Sequence, residues 1–296
     1  MLLKHKYYSK SNKVMGYRPF IWAAYTTLIV VAYKVYNIDL AIPMAIPSIL
    51  GTAIALFLGF RTNSAYQRWW EARKVWGEIV NNSRTLARQT LTFGLGNNDS
   101  KIRTKIIHRQ IVWCWSLAHI LRNVDQTKEA ETYLDKEEFI SLSKKDHVPN
   151  LLLLNQEYDL KTMVSIGEMD EFDIRKIDTT LKELTDSMGK CERIKNTVFP
   201  TQYSLFTLVF INIFLFLLPL GMVASLGYYS IPVQIAIGFT FGMIQSIAES
   251  MQDPFDNKPN DTPIFAISRT IERNLLEMIG KENLPEKIKA VDGVLM

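Results

Sequence analysis

The sequence predicts an all-α, polytopic membrane protein with four transmembrane helices per subunit and a helical cytoplasmic domain. Two long stretches contain no Asp, Glu, Lys, Arg or His, one between Arg18 and Lys34 and one between Lys195 and Glu249. Charged residues nevertheless make up 22% of the 296 residues, so the charge is concentrated in the remaining regions. A soluble domain of ordinary composition rarely shows this division, and apolar stretches of such length are typical of membrane spans.

The first predicted span covers residues 19–36, and the charges around it predict its orientation. Basic residues crowd the N-terminal segment 1–18 before this span, and they return after the second span from Arg61 onward. Cytoplasmic flanks carry an excess of Lys and Arg. Both flanks are therefore predicted to be cytoplasmic, with Asp39 outside. Four spans then leave both termini in the cytoplasm and the chain in the plasma (inner) membrane.

The second span is predicted to be the start of one continuous helix from Pro47 to Leu91. Its first part is apolar and uncharged up to Phe60, and the sequence then turns polar at Arg61 without a helix-breaking residue. About 45 residues at about 1.5 Å each give a helix of about 67 Å, against about 30 Å for a bilayer core. This helix is therefore expected to begin in lipid and to project far beyond it.

Two stripes at four-residue spacing mark neighbouring faces of the apolar part of this helix. Small residues, which let membrane helices approach closely, stand at Gly51, Ala55 and Gly59. The second stripe is Thr52, Leu56 and Phe60. Around a central axis, copies of it would stack as largely apolar rings that can gate a pore by dewetting. The alternative, which spacing alone favours, is that the second stripe faces lipid or a neighbouring helix.

The rest of the chain is predicted to contain amphipathic cytoplasmic helices and two further spans. Apolar residues recur at helical spacing, and residues 124–150 are expected to form short helices and a loop. The predicted amphipathic helices are 101–123, 170–196 and 263–279, and the further spans are 204–227 and 231–250. The predicted domains are 1–18, N-terminal and cytoplasmic; 19–94, the first two spans; 95–199, cytoplasmic; 200–250, the last two spans; and 251–296, C-terminal and cytoplasmic.

The sequence gives little support to an enzyme, a cofactor site or a metal site. It has no Gly-rich phosphate loop, no His-Glu-x-x-His and no nucleophile elbow. His108 and His119 lie about three turns apart on one helix, too far for one metal ion, and are interpreted as packing residues. Cys114 and Cys191 have neither disulfide nor metal spacing. A net charge of +4 does not argue for nucleic acid, and the basic, aromatic stretch 68–78 is interpreted as interfacial.

An acidic loop, DPFDNKPND at 253–261, allows two interpretations. Several carboxylates close together suit calcium, which prefers many oxygen ligands. The loop lacks the glycine and the terminal glutamate of an EF-hand, so a turn with helix caps is the favoured interpretation. Neither a metal nor a cofactor is predicted.

Four stretches resemble the bestrophin family, and specifically its bacterial branch. They are LFLGFRTNSAYQRWWEARKVWGE at 56–78, KCERIKNTVFPTQYS at 190–204, AESMQDPF at 248–255 and TIERNLLEMIG at 270–280. These stretches lie in the family's order and span most of the chain.

This resemblance implies a homopentameric ion channel in which five copies of the second span surround one axial pore. It implies a narrow neck at Thr52, Leu56 and Phe60 and a second, cytoplasmic constriction at Phe199. Thr52 brings a hydroxyl where the family usually has a larger apolar residue, so that ring is expected to be wider or wetter. Animal members bind calcium in the acid-rich loop, but Lys258 stands here among the expected carboxylates and opposes the ion.

These residues do not decide between anion and cation selectivity, because apolar rings carry no charge. The chloride conduction of animal bestrophins favours anions, as would basic residues after Phe60 if they faced the pore. A ring of Asp39 at the outer mouth would favour cations such as sodium. A third alternative is a non-conducting membrane scaffold or sensor. The expected partners are small monovalent ions, further copies of the chain and the lipid bilayer, and not nucleic acid.

Overall fold

The computed structural model describes residues 18–94, 101–197, 201–291 and 294–295. Helices are the regular elements within these ranges, as the all-α prediction requires, and one isolated antiparallel bridge joins Val291 to Val294. The helices are α1 (Arg18–Lys34), α2 (Ala45–Thr92), α3 (Lys101–Leu121), α4 (Ala130–Tyr133), α5 (Lys136–Leu142), α6 (Val148–Ser165), α7 (Glu171–Asn196), α8 (Thr201–Leu226), α9 (Ser230–Met251) and α10 (Ile264–Met278).

Helix α2 confirms the predicted long helix. It has 48 residues, or about 72 Å at about 1.5 Å per residue. Pro47 lies in its first turn, where the missing N–H has no partner to lose. The helix is followed by Gly94 at a φ of 86°, where a Cβ would lie 2.0 Å from the Glu168 carbonyl oxygen. Only glycine fits this turn, and its N–H donates to Asp173 Oδ2 at 3.0 Å.

The other predicted helices are confirmed to within a few residues at each end, and one helix was missed. The sequence predicted short helices and a loop up to residue 150, whereas α6 begins at Val148 and continues to Ser165. Four consecutive leucines, Leu151 to Leu154, stand in its first half. Such a run hides the helical period from which an amphipathic helix is recognised.

The described chain divides into two compact units. The first comprises 18–68 and 201–252, the second 69–94 and 101–197 with 253–291 and 294–295, and the division falls within α2. By length and composition, two helical stretches of the described residues can cross a membrane, Ala45–Thr92 and Gln202–Met251. The latter covers α8, a 3₁₀ turn at Gly227–Tyr229 and α9. Helix α1 is shorter, with 17 residues.

The core of the first unit is formed where the start of α2 packs against α8. Ile54 and Leu58 are buried against a row of α8 side chains. The buried α8 members of this cluster are Ile211, Phe214, Leu215, Leu218 and Met222. Helix α1 packs on α8 and α9. This packing leaves one side of α2 free of contact with the other helices of its own unit.

The second unit is built around α3, which packs against α6 and α10. Trp113 of α3 is completely buried in its core. Arg109, a buried charge of α3, is paired: it meets Glu138 of α5 at 2.6 Å and also contacts Asp159 of α6. Glu272 of α10 accepts a hydrogen bond from Trp115 Nε1 at 3.0 Å. The unit is therefore fixed by specific polar contacts as well as by apolar packing.

Candidate functional site

The first part of α2 has a buried face that anchors it within the first unit. Ile54, Leu58, Arg61 and Ala65 follow one another at spacings of four, three and four, and all are buried. Such spacing keeps side chains on one face of a helix. The orientation of α2 in its unit is therefore set by this face, which also fixes what the opposite face carries.

The opposite face carries the three predicted neck residues. Thr52 is exposed, and so are Leu56 and Phe60, at 62% and 60% of their full accessible surface. Two residues beyond Arg61 the face turns polar, with Asn63 and then Gln67 exposed. The structure thus brings the predicted residues together as one stripe, which the described residues of a single chain leave uncovered.

The hydroxyl of Thr52 is already engaged in its own helix. Its Oγ1 donates to the Ser48 carbonyl oxygen at 2.9 Å, and Ser64 Oγ donates in the same way to the Phe60 carbonyl at 3.0 Å. A hydroxyl has one hydrogen to donate and two lone pairs. Thr52 therefore offers its surroundings an acceptor and a methyl group, but no donor.

The small-residue stripe is divided between two environments. A Cβ on Gly51 would lie 2.8 Å from Cε2 of Phe214, so this glycine admits the ring of an α8 residue. Gly59, by contrast, has nothing described within 4 Å of such a Cβ, and Ala55 is exposed. Close approach is thus realised at Gly51 with a helix of the same chain, while the rest of the stripe is open.

Arg61, the first basic residue after Phe60, lies on the buried face. Its Nη2 donates to Ser204 Oγ at 2.9 Å and lies 3.7 Å from Glu249 Oε1. Arg61 therefore does not share the exposed face of the predicted neck residues. Sequence reasoning missed this arrangement, because both partners are far away in the chain. One feature of the sequence indicated a special role for Arg61: its charge stands directly at the end of an apolar stretch.

The other predicted site residues lie elsewhere. Asp39 is exposed in the loop between α1 and α2, and its Oδ1 accepts a hydrogen bond from the Ala41 N–H at 3.2 Å. Phe199 lies outside the described residues.

Two carboxylates of the acidic loop are paired with lysines, one from α7 and one from the loop itself. Lys195 Nζ lies 2.8 Å from Asp253 Oδ2, and Lys258 Nζ lies 2.6 Å from Asp256 Oδ2. Asp253 and Asp261 also accept backbone N–H groups of the loop, at 3.0 and 2.9 Å. Calcium needs carboxylates that are free to turn toward it, so these residues do not fit the ion. These contacts are those of a turn, but the predicted caps are absent from α10, whose N-cap residue is Pro263 and has no side-chain capping hydrogen bond.

His108 and His119, both on α3, are also in positions that suit packing. His119 is buried, and burial lowers its pKa to about 4, which keeps it neutral at physiological pH. The His108 ring lies 5.5 Å from that of Tyr133. No group of three or more potential metal ligands occurs in the described parts of the chain.

Comparison with known proteins gives consistent matches over most of the chain. A family model described as Bacterial/Fungal Bestrophin protein matches residues 15–277. A protein named voltage-dependent anion channel-forming protein YneE, from Salmonella typhi, is 32% identical over 240 residues, covering 81% of this chain and 78% of that protein. A relative with the same description from a Nostoc species is 33% identical over 250 residues, covering 80% and 79%.

Solved structures match equally well. A crystal structure of a bacterial bestrophin homologue from Klebsiella pneumoniae, carrying a single substitution, has a TM-score of 0.84 at 32% identity. The match covers 91% of this chain and 100% of that one. A second crystal structure of the Klebsiella pneumoniae homologue has a TM-score of 0.81 at 31% identity, covering 90% and 99%.

Proposed function

Because the chain belongs to the bestrophin family, which is a family of ion channels and not of enzymes, we propose that it is one subunit of a homopentameric anion channel. The observation that carries this proposal is the exposed stripe of Thr52, Leu56 and Phe60 on a helix whose opposite face is buried. The name of the relatives, voltage-dependent anion channel-forming protein, supports anions as the transported species.

The stripe would form the neck of the pore. Five copies of α2 around one axis would stack Thr52, Leu56 and Phe60 as three rings. Two of the rings are apolar and bind water weakly, so a narrow passage between them can dewet and close. The third, at Thr52, would present acceptor oxygens, because the hydroxyl hydrogen is used within the helix. Phe199 is proposed as the cytoplasmic constriction.

We propose that each subunit crosses the plasma (inner) membrane four times and has both termini in the cytoplasm. Helix α1, the first part of α2, α8 and α9 would be the spans. The 3₁₀ turn at Gly227–Tyr229 supports two crossings within Gln202–Met251. The membrane domain then comprises 19–94 and 200–250. Segments 1–18, 95–199 and 251–296 are proposed to be cytoplasmic.

A planar bilayer containing purified protein under a chloride gradient tests the channel and its selectivity together. We expect a current that reverses near the chloride equilibrium potential. Phe60→Ala should raise the conductance or prolong openings, because the ring that narrows the neck is lost. Phe20→Ala removes a side chain that is 76% exposed on α1 and should leave the current unchanged. Silence from verified pentamers at all voltages, pH values and calcium levels would favour a scaffold instead.

Cation selectivity is the second candidate, and two observations favour it. Asp39 is exposed in the loop after the first span, and Thr52 offers an acceptor without a donor. If Asp39 forms a ring at the outer mouth, Asp39→Lys should move the reversal potential toward the chloride value, because a ring of cations attracts anions. An unchanged reversal potential would remove Asp39 from the pore.

A further inference from the structure

The first unit contains a cavity that the proposed pore does not use. It has a volume of about 230 Å³ and is lined by residues of α1, α8 and α9. Its α9 wall extends from Gln234 to Glu249, which corresponds to about 22 Å at about 1.5 Å per residue. This volume, spread over that length, makes a narrow slot, which suits one extended chain better than a compact ring system.

The middle of the slot is apolar, and two glycines of α9 make room for it. Gly238 and Gly242 both line the slot, and their spacing of four places them on one helix face. A Cβ on Gly242 would meet none of the described atoms within 4 Å. Trp22 of α1 and Leu215 of α8 are among the apolar side chains of the other walls. An alkyl chain in the slot would therefore contact apolar groups of all three helices.

The end of the slot at the C-terminal part of α9 carries a negative charge. Glu249 lines this end, and its side chain is 45% exposed. Its Oε1 accepts a hydrogen bond from Gln245 Nε2 at 3.0 Å and lies 3.7 Å from Arg61 Nη2. Its Oε2 has neither a hydrogen bond nor an ion pair in the part of the chain that the structure describes. One carboxylate oxygen is therefore available to a ligand.

Arg61 does not cancel this charge for a ligand in the slot. Its side chain is completely buried, and the described lining of the slot contains neither arginine nor lysine. A cation bound to Oε2 of Glu249 would be closer to the carboxylate than to the guanidinium, and Coulomb energy falls with distance. Ser246 lies three residues earlier on the same face of α9, and its hydroxyl has no hydrogen bond to a described residue. This end of the slot thus offers acceptors to a cationic donor.

We propose that the slot binds a single-chain alkylamine in its protonated form, with its ammonium group on Glu249 Oε2 and its chain along Gly238 and Gly242. An ammonium group has three donors and no acceptor, and a hydrogen bond between two charged groups is stronger than one between neutral groups. An anionic amphiphile would be repelled by the carboxylate, and a neutral one would lose the ion pair. A phospholipid has two chains, whereas the slot has room for one.

The test compares octylamine, an amine that is protonated at pH 7.4 as lysine is, with octanol, which has the same chain and no charge. Purified protein in phosphatidylcholine nanodiscs is incubated with tritiated octylamine, and the binding measured with empty nanodiscs is subtracted. We expect saturable binding that octylamine displaces at least about tenfold better than octanol, because octanol lacks the charged hydrogen bond. Absence of saturable binding, or equal displacement by both compounds, would overturn the proposal. Loss of octylamine binding in nanodiscs that contain phosphatidylethanolamine would overturn it in favour of a lipid headgroup.

Variants assign the binding to this slot. Glu249→Gln should remove the preference for octylamine, because the charge is lost while the amide oxygen can still accept from Gln245. Glu183→Gln, at an exposed carboxylate of α7, is the matched control and should keep the preference. Gly242→Leu should abolish binding by filling the slot, while Gly189→Leu, at an exposed glycine of α7 with nothing described within 4 Å of its Cβ, should not.

Either slot variant decides the question without the other, so a failure of one to fold leaves the proposal open to refutation. An undiminished preference for octylamine in folded Glu249→Gln would contradict the proposed role of the carboxylate. Wild-type binding in folded Gly242→Leu would contradict the proposed position of the chain.

Discussion

At the scale of single residues, burial gives Arg61 and Asp261 two different roles. Arg61 is buried beside Ser204 and Glu249, which makes it a structural anchor of α2. Asp261 is buried in the acidic loop, where its Oδ2 accepts the Lys258 N–H and its Oδ1 has no partner among the described residues. Neither role follows from sequence, because burial is decided by residues far away in the chain.

Asp261 should make the protein more stable at mildly acidic pH. Burial raises its pKa from 3.8 to about 6, while the Lys258 N–H and the nearby Lys258 and Arg122 charges oppose this rise and Asp253 adds to it. Because the folded state binds the proton more tightly than the unfolded state, this group favours folding at low pH and loses that contribution as pH rises from about 4 to about 6. Between pH 7.5 and 5 the gain in folding free energy is about 1.4 kcal/mol, or roughly 2 °C in melting temperature for a chain of 296 residues.

Thermal melting of wild-type protein and Asp261→Asn at pH 5 and 7.5 measures this contribution. The variant should lose most of the pH-dependent difference. Asp256→Asn, at an exposed carboxylate of the same loop, is the matched control and should retain it. An identical pH dependence in wild type and Asp261→Asn would show that the Asp261 carboxylate is not held in the buried environment described above.

At the scale of secondary structure, α2 could be predicted almost completely, but the contacts that it makes with other helices could not. Its length, its change from apolar to polar at Arg61 and its stripe at Thr52, Leu56 and Phe60 are local properties of the sequence. Helix α6 was missed because its leucine run has no helical period. The contact of Gly51 with Phe214 was also beyond sequence reasoning, because helical spacing identifies the face of a helix but not the partner that covers it.

The two glycines at the ends of the small-residue stripe should respond oppositely to alanine. Gly51→Ala should destabilise the protein by about 1 to 3 kcal/mol, the usual cost of overpacking, since its Cβ would lie 2.8 Å from Phe214 Cε2. Gly59→Ala meets open space and should stabilise the helix by up to about 1 kcal/mol. Melting temperatures of the two variants in detergent measure the difference. A stabilising Gly51→Ala would contradict the packing of α2 on α8.

At the scale of the whole molecule, exposed apolar surface distinguishes the first unit from an ordinary soluble domain. Phe20, Ile49, Leu56 and Phe60 are all more than half exposed. Extended apolar surface of this kind marks membrane or subunit contacts. Lipid and neighbouring subunits are therefore expected to cover different parts of it. Helix α1 carries Phe20, and the candidate pore face carries Leu56, so these two residues should meet different environments.

The assembled protein should expose Leu56 to water and Phe20 to lipid, and cysteine accessibility separates the two. The native thiols do not interfere, because Cys114 and Cys191 are completely buried and burial raises the pKa of both, that of Cys114 to about 12. A thiol must ionise to react, which requires water. Leu56→Cys should therefore react with a charged, membrane-impermeant thiosulfonate and lose current as the neck becomes occupied. Phe20→Cys should keep its current under the same treatment. The control is protein shown to be pentameric and conducting. If the current through Leu56→Cys survives the reagent in such protein, the pore lies on another face of α2.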